Sequence, residues 1–512
     1  MIEITSYIKS ICANLKAIIR QNTTVLTAVF CLSVLYVLPI LLANTHYIDD
    51  LNRTIEGYAW DHDGRYGSSF LMHLLSFQIE TVFSLFPYST IISACLVSLS
   101  GFIISYSLGV RNKIPLVLGS VLLTTCPFIL EIFLYRFDCL PISLSILSVT
   151  FPFLFYKNKW RFLIASVVGL SLCFSFYQTT TLSYAIVLCL FLIKDIWKNN
   201  FTNVISHSIV GFVSFLVSFF LFKLLLKIFN IDLYQDGRAD FIFTDPNLFQ
   251  LLSDRYQNMM ELIKLLTTSS YRYTIYIFIL IAVFTIVIQF IKKKKIYFNL
   301  STVGKIALSI LLLVVIIIAV AGINMVVYNP RWVPRGMIGW GFAMYVFYLA
   351  IVVNQSIKYR NSLIILAMVP LIHYSFLMSS QLGMYIKNQD EFSDYIISLV
   401  SPKLISNQVV ENVEGQRIKL IINGTIRKTH RNHSINNQTM PFIIKLAPVY
   451  ENNEWAWGIM RFNKFNNINS NIISGNKRYE ILKNKEAYPI IDQTIYYTLR
   501  LKDDIAILDF ND

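Results

Sequence analysis

The apolar and polar positions divide the chain into two unequal parts. From residue 22 to about 380, apolar runs follow one another, most of them close to the length needed to cross a bilayer as a helix. They predict spans at 22–43, 87–109, 114–131, 138–156, 161–177, 180–193, 204–228, 271–291, 303–323, 337–355 and 361–380, about eleven in all. Residues 1–21 form a short amphipathic lead carrying Lys9, Lys16 and Arg20. Residues 71–86, LMHLLSFQIETVFSLF, are too interrupted for a span and suit an interfacial or re-entrant helix. Only Gln178 and threonines divide the runs around 161–193, which leaves open one hairpin or a pair of broken helices. Residues 381–512 are polar and rich in asparagine and lysine, with short apolar stretches RIKLIING (417–424), FIIKLAP (442–448) and IYYTLRL (495–501). Their alternation suggests a few strands. The expected organisation is therefore mostly α: a cytoplasmic lead at 1–21, a transmembrane domain at 22–380 with outer loops 44–86 and 229–270, and a small α/β domain at 381–512.

Composition fits that pattern. The 512-residue chain is 55% hydrophobic and 14% charged, where a soluble chain carries about 25% charged residues. Its net charge of +14 does not point to nucleic acid, because the lysines fall in short loops between apolar runs. Arg111 and Lys113; Lys157, Lys159 and Arg161; Lys194 and Lys198; Lys292 to Lys295; and Lys358 and Arg360 form one consistent side with the N-terminus. By the positive-inside rule that side is the cytoplasm. Eleven spans then place the C-terminal domain on the opposite side. All seven cysteines lie in the first 189 residues, without CxxC or Cys/His spacing, so they read as small apolar core residues and not as a zinc or disulfide framework.

The outer side carries the candidate chemistry. The loop 46–70, HYIDDLNRTIEGYAWDHDGRYGSSF, concentrates charge just beyond the first span. Asp49 and Asp50 are candidate catalytic carboxylates: one could accept a proton from an attacking hydroxyl while the other holds the acceptor. A helix cap or solvated loop end is the structural alternative. In Asp61-His62-Asp63-Gly64-Arg65 the Asp-Gly pair makes a turn, Arg65 could meet a phosphate, Asp63 could orient it, and His62 reads as a loop residue. Glu131, Arg136 and Asp138 sit at the mouth of two spans, where charge must be paired or wet. In NPRWVPRG, Arg331 and Arg335 form a second phosphate-clamp candidate. The outer basic residues are mostly arginines (Arg53, Arg65, Arg136, Arg238, Arg255, Arg272, Arg331 and Arg335), whose planar fork suits phosphate and carboxylate. His373 reads as a packing residue. Nothing matches a nucleotide-binding loop or a HExxH zinc site, and a nucleotide-sugar donor would need carboxylates on the other side.

THYIDDLNRTIEGY, WDHDGR, YRFDCLPISLSIL, FYQTTT and NPRWVPRG together resemble the serotype-converting O-antigen glucosyltransferases of phages and Gram-negative bacteria, over roughly residues 25–400. Tyr66-Gly67 departs from the apolar or proline start expected after DGR. The resemblance implies a GT-C-like fold in the bacterial inner membrane, an undecaprenyl-phosphate-glucose donor, a lipid-linked O-antigen acceptor in the periplasm, and partner proteins that make and flip the donor. On this reading Asp49 or Asp50 is the base. Asp63, Arg65, Glu131, Arg136, Asp138, Gln178, Arg331 and Arg335 handle substrate and phosphate, and displacement inverts the sugar. No metal ligand set is evident, and the resemblance leaves metal dependence open. The rival readings are a lipid-linked sugar flippase or transporter, and an O-antigen polymerase.

Overall fold

The computed structural model describes residues 13–234, 240–292, 300–353, 359–406, 419–429, 432, 439–452, 457–466, 471–473 and 475–510. Arg238, Lys293 to Lys295, Lys358 and residues 1–12 of the lead lie outside them. The chain forms two compact units. One comprises residues 1–38, 59–79 and 85–379, the other 39–58, 80–84 and 380–512.

The first unit is helical. Among the described residues, nine helices of the chain are long and apolar enough to cross a membrane, or ten if one bent pair is a single span. That pair, Lys113–Thr124 and Pro127–Leu134, bends by 60°, because Pro127 has no N–H to continue the ladder and its ring disfavours helix in the residue before it. The predicted run 138–156 is the shorter apolar helix Cys139–Phe155, whose last turn, Phe151–Phe155, tightens to a 3-10 form around Pro152. The runs around 161–193 are two helices, Lys159–Phe176 and Thr181–Trp197. The extended backbone of Tyr177 and the 3-10 turn Gln178–Thr180 separate them. The Tyr66–Ser76 helix starts directly after Arg65, and Pro87 precedes the Tyr88–Ser107 helix.

Helices Tyr88–Ser107, Lys113–Thr124 and Cys139–Thr150 pack together through buried serines and threonines. Small side chains let apolar helices approach closely. Many of these hydroxyls donate to a carbonyl one turn back, as Ser93 does to Ser89 (2.6 Å) and Ser100 to Leu96 (2.9 Å), and so carry their own hydrogen bond into the core. Tyr345 and Tyr348 tie a later helix to the same group by donating to the Gly119 and Pro115 carbonyls. Helix Phe201–Ile228 packs on Lys159–Phe176 and exposes Phe212, Leu216, Phe220 and Leu224, the one-sided surface expected of a helix with lipid on its free face.

The second unit has a five-stranded sheet, order β2-β1-β5-β4-β3, with β1 Lys419–Asn423, β2 Asn471–Ile472, β3 Ile490–Gln493, β4 Thr498–Lys502 and β5 Ile505–Asp509. β1 runs parallel to β2 and β5, while β3, β4 and β5 form antiparallel pairs. Alternation sorts the faces. Leu420, Ile422, Leu499, Ala506 and Leu508 pack with Ile396, Ile397, Val400 and Leu404 of the long helix Arg360–Ser406. Ile421 and Ile507 pack with Ile473 and Ile481 on the other face. The stretch FIIKLAP is a correction to the strand reading: Pro441–Leu446 is a helix. Pro441 suits a first helical turn, and Phe442, Ile443 and Leu446 are buried at helical spacing.

Candidate functional site

The DGR turn positions the first cation. Asp61–Asp63 closes a 3-10 turn, and Gly64 follows with φ +71°. A Cβ there would adopt the left-handed region and come within 2.9 Å of Leu233 Cδ2. The Gln178 amide donates to the Gly64 carbonyl at 3.1 Å and to that of Asp63 at 3.4 Å. The break between two spanning helices therefore holds the turn. Tyr66 stacks on Phe222 with centroids 6.1 Å apart, and burial pushes its phenol above the usual value.

Arg65 projects from this turn. It donates to Asp138 Oδ1 at 3.1 Å and lies over the Tyr177 ring at 4.7 Å. The Trp60 indole donates to the same Asp138 oxygen at 2.9 Å. One carboxylate thus orients the guanidinium and is itself oriented by the indole. Arg65 Nε is buried and has no acceptor among the described residues, which leaves a donor for an anion.

NPRWVPRG supplies the second and third cations. The Arg335 amide donates to Glu131 Oε2, and its guanidinium lies over the Tyr135 ring at 4.0 Å. Arg335 and Glu131 are both buried. Asn324 donates to the Arg331 carbonyl at 3.1 Å and shapes the loop, while Arg331 stays exposed. Arg255, on the helix Leu248–Thr267, fixes the start of this segment by donating to the Val327 and Tyr328 carbonyls.

These elements enclose a cavity of about 180 Å³. Arg65, Arg331, Arg335, Asp63 and Gln178 line it, together with Lys223, Asn324 and a phenylalanine wall. Four cations against one lining carboxylate suit an anionic group, and guanidinium forks suit phosphate. Asp138 and Glu131 stand behind the arginines as their orienting partners. Arg136 is not among the lining residues. Its guanidinium lies over Phe86 at 4.4 Å, and its carbonyl accepts from Ser89 at 3.0 Å.

Asp49 and Asp50 belong to the second unit. Asp50 starts the Asp50–Glu56 helix and is fully buried, and its Oδ2 accepts from the Tyr47 amide at 3.4 Å. Asp49 is half-buried. Ile48 before them holds φ +47°, unusual for a β-branched residue, and its amide donates to the Tyr450 hydroxyl at 3.1 Å. Among the described residues no group of three His, Cys, Asp or Glu side chains could hold a metal ion.

Sequence reasoning missed Trp60, Tyr135, Tyr177 and Lys223. Trp60 and Tyr135 stand inside motifs chosen for their charges, and Tyr177 inside FYQTTT, which carries no charge. Lys223 was visible as a charge within the apolar run 204–228.

Fold and cavity define a polytopic membrane protein with an anion-ready, aromatic-walled site. Residues 38–354 match the family described as glucosyl transferase GtrII, and the chain belongs to that family. The match bears out the family read from the motifs and covers each of them from Asp49 to Arg335. An uncharacterized 55.3 kDa protein in the gtrB 5′ region of Salmonella phage P22 is 24% identical over 208 residues, 40% of this chain and 43% of that protein. The chain thus matches less than half the length of this curated relative. No solved structure matches.

Proposed function

We propose that this protein is an inner-membrane glycosyltransferase that moves a glucosyl residue from an undecaprenyl-phosphate-linked donor to lipid-linked O-antigen in the periplasm, altering serotype. The observation that carries the reading is the cavity in which Arg65, Arg331, Arg335 and Lys223 converge, in a chain of a glucosyl transferase family. Partner proteins make and flip the donor. The fold reading is GT-C-like with eleven spans, Cys139–Phe155 being the eleventh, and with the C-terminal unit in the periplasm.

In this mechanism an acceptor hydroxyl attacks the anomeric carbon in line with the bond to phosphate. The C–O bond to the lipid phosphate breaks, and the configuration inverts. Arg65 and Arg335 stabilise the charge gathering on the departing phosphate. A carboxylate takes the hydroxyl proton, and Asp49, half-exposed where Asp50 is sealed, is the candidate base. Expression in a strain that makes and flips the lipid-phosphate glucose, followed by linkage analysis of the O-antigen, tests the reading. A new glucosyl branch is expected from the wild type and none from Arg335→Lys. An unmodified O-antigen from an inserted, folded wild type would overturn it.

A further inference from the structure

Phe174, Phe219, Phe222 and Phe241 line one side of the cavity, opposite in character to the arginine end. Their rings form a ladder. Phe174 lies 5.4 Å from Phe222 and 6.0 Å from Phe219, Phe219 lies 6.1 Å from Phe241, and Phe241 lies 6.0 Å from Phe243. Exposure rises along it, from 5% at Phe174 and 7% at Phe222 to 40% at Phe241 and 64% at Phe243. The ladder therefore runs from the buried part of the cavity wall to the surface. Lys223 stands one helical turn after Phe219, its Nζ 5.9 Å from that ring, and also lines the cavity. A lysine can lay its stem on an apolar wall and hold its charge at the edge.

Resting on the donor reading above, we infer that the donor's isoprenoid chain leaves the cavity along this ladder, and that Lys223 holds the phosphate where the wall meets the arginine end. Charge complementarity selects the occupant: a hydrocarbon on aromatic rings, ending in an anion beside four cations. Phe219 and Phe241 then set the preference for a long-chain donor, while Lys223 and the arginines serve every donor alike.

The test compares full-length and short-chain isoprenyl-phosphate glucose in the same micelles, for the full-length protein and its Phe219→Ala, Phe241→Ala and Lys223→Met variants. The wild type is expected to prefer the long chain. Each phenylalanine variant should shrink that preference by roughly tenfold, through KM for the long-chain donor. Lys223→Met should raise KM for both donors, and Lys223→Arg should restore it. An unchanged chain-length ratio in both phenylalanine variants overturns the inference while leaving the donor reading in place. A long-chain isoprenyl phosphate bearing a diazirine in its tail, without sugar, supplies the independent arm. Crosslinks at Phe174 or within residues 215–234 and 240–243 support the ladder, even if no glucose transfer is found and the donor reading fails. Crosslinks confined to other segments overturn it.

Discussion

Asp138 shows how one residue governs a site it does not line. It accepts from Trp60 and Arg65 together, and its side chain is 6% exposed against 17% for that of Arg65. Asp138→Asn should leave a half-buried guanidinium without its countercharge, lowering stability by about 1–3 kcal/mol, less than for a fully sealed pair. Thermal unfolding in micelles should register the loss alongside reduced transfer, and an unaltered midpoint would refute the pairing. The adjacent carboxylates should separate by burial. Asp49→Asn should cut transfer at least roughly a hundredfold with the fold intact, the scale of a lost general base. Asp50→Ala should chiefly lower stability, because the buried Tyr47 amide loses its acceptor. If Asp49→Asn keeps full activity, Asp49 is not the base. The charged members of this set were legible because charge at a membrane face stands out against apolar sequence. Their division into lining and orienting groups was not, since Arg65 and Asp138 are 73 positions apart and only the fold brings them together.

At the scale of elements, the breaks matter more than the helices. The interruption at Tyr177 and Gln178 sends a side-chain amide to the DGR turn, so Gln178→Leu should loosen that turn without unfolding either helix. The two lost bonds, about 1 kcal/mol each, predict a rise in donor KM of up to roughly thirtyfold, with a small drop in unfolding temperature. An unchanged KM would remove Gln178 from the site. In the second unit, Asp390 and Asp394, one turn apart on the long helix, both meet Arg461 at 2.7 Å, and Glu451 approaches it at 3.5 Å. Burial holds the Glu451 carboxyl above its usual value, with Arg461 and the Ser393 hydroxyl opposing. Because the folded value is the higher one, Glu451 contributes most stability below the ordinary carboxylate range and loses it as pH rises through the raised value. Asp504, drawn down by its bond to Lys419, acts in the opposite sense, but it is largely exposed and screened. Stability of this unit should therefore fall as pH climbs out of the carboxylate range, and Glu451→Gln should flatten that limb, as unfolding scans across pH would record. A limb of the same size in the variant would assign it to another group. Helix positions were readable from apolar run length. The helical state of Pro441–Leu446 was not, because six residues are too few to separate a period of 3.6 from one of 2.

For the whole molecule the open variable is orientation, since the same bundle could be inserted either way. Lysine and arginine collect in the connections at 111–113, 157–161 and 194–198, and a bilayer inserts such loops on the cytoplasmic side. The cavity is lined by residues 62–65, 233–241 and 323–336, which fall in the alternate connections. On the proposed reading of eleven spans, the cavity faces the periplasm, as does the chain after the last span, and the proposed donor is a lipid-linked sugar. Among the candidate spans, Cys139–Phe155 decides the parity: without it, every connection from residue 157 onward changes sides. Single cysteines at Lys157 and Lys485, in a background lacking the seven native cysteines, make the test direct. An impermeant maleimide on intact cells with a permeabilised outer membrane should label position 485 and spare 157 until lysis. Labelling of 157 from outside, with 485 protected, would mean that the bundle is inserted the other way, since loss of Cys139–Phe155 alone would divide the cavity's own lining between the two faces. The donor would then have to be a sugar available on the cytoplasmic face.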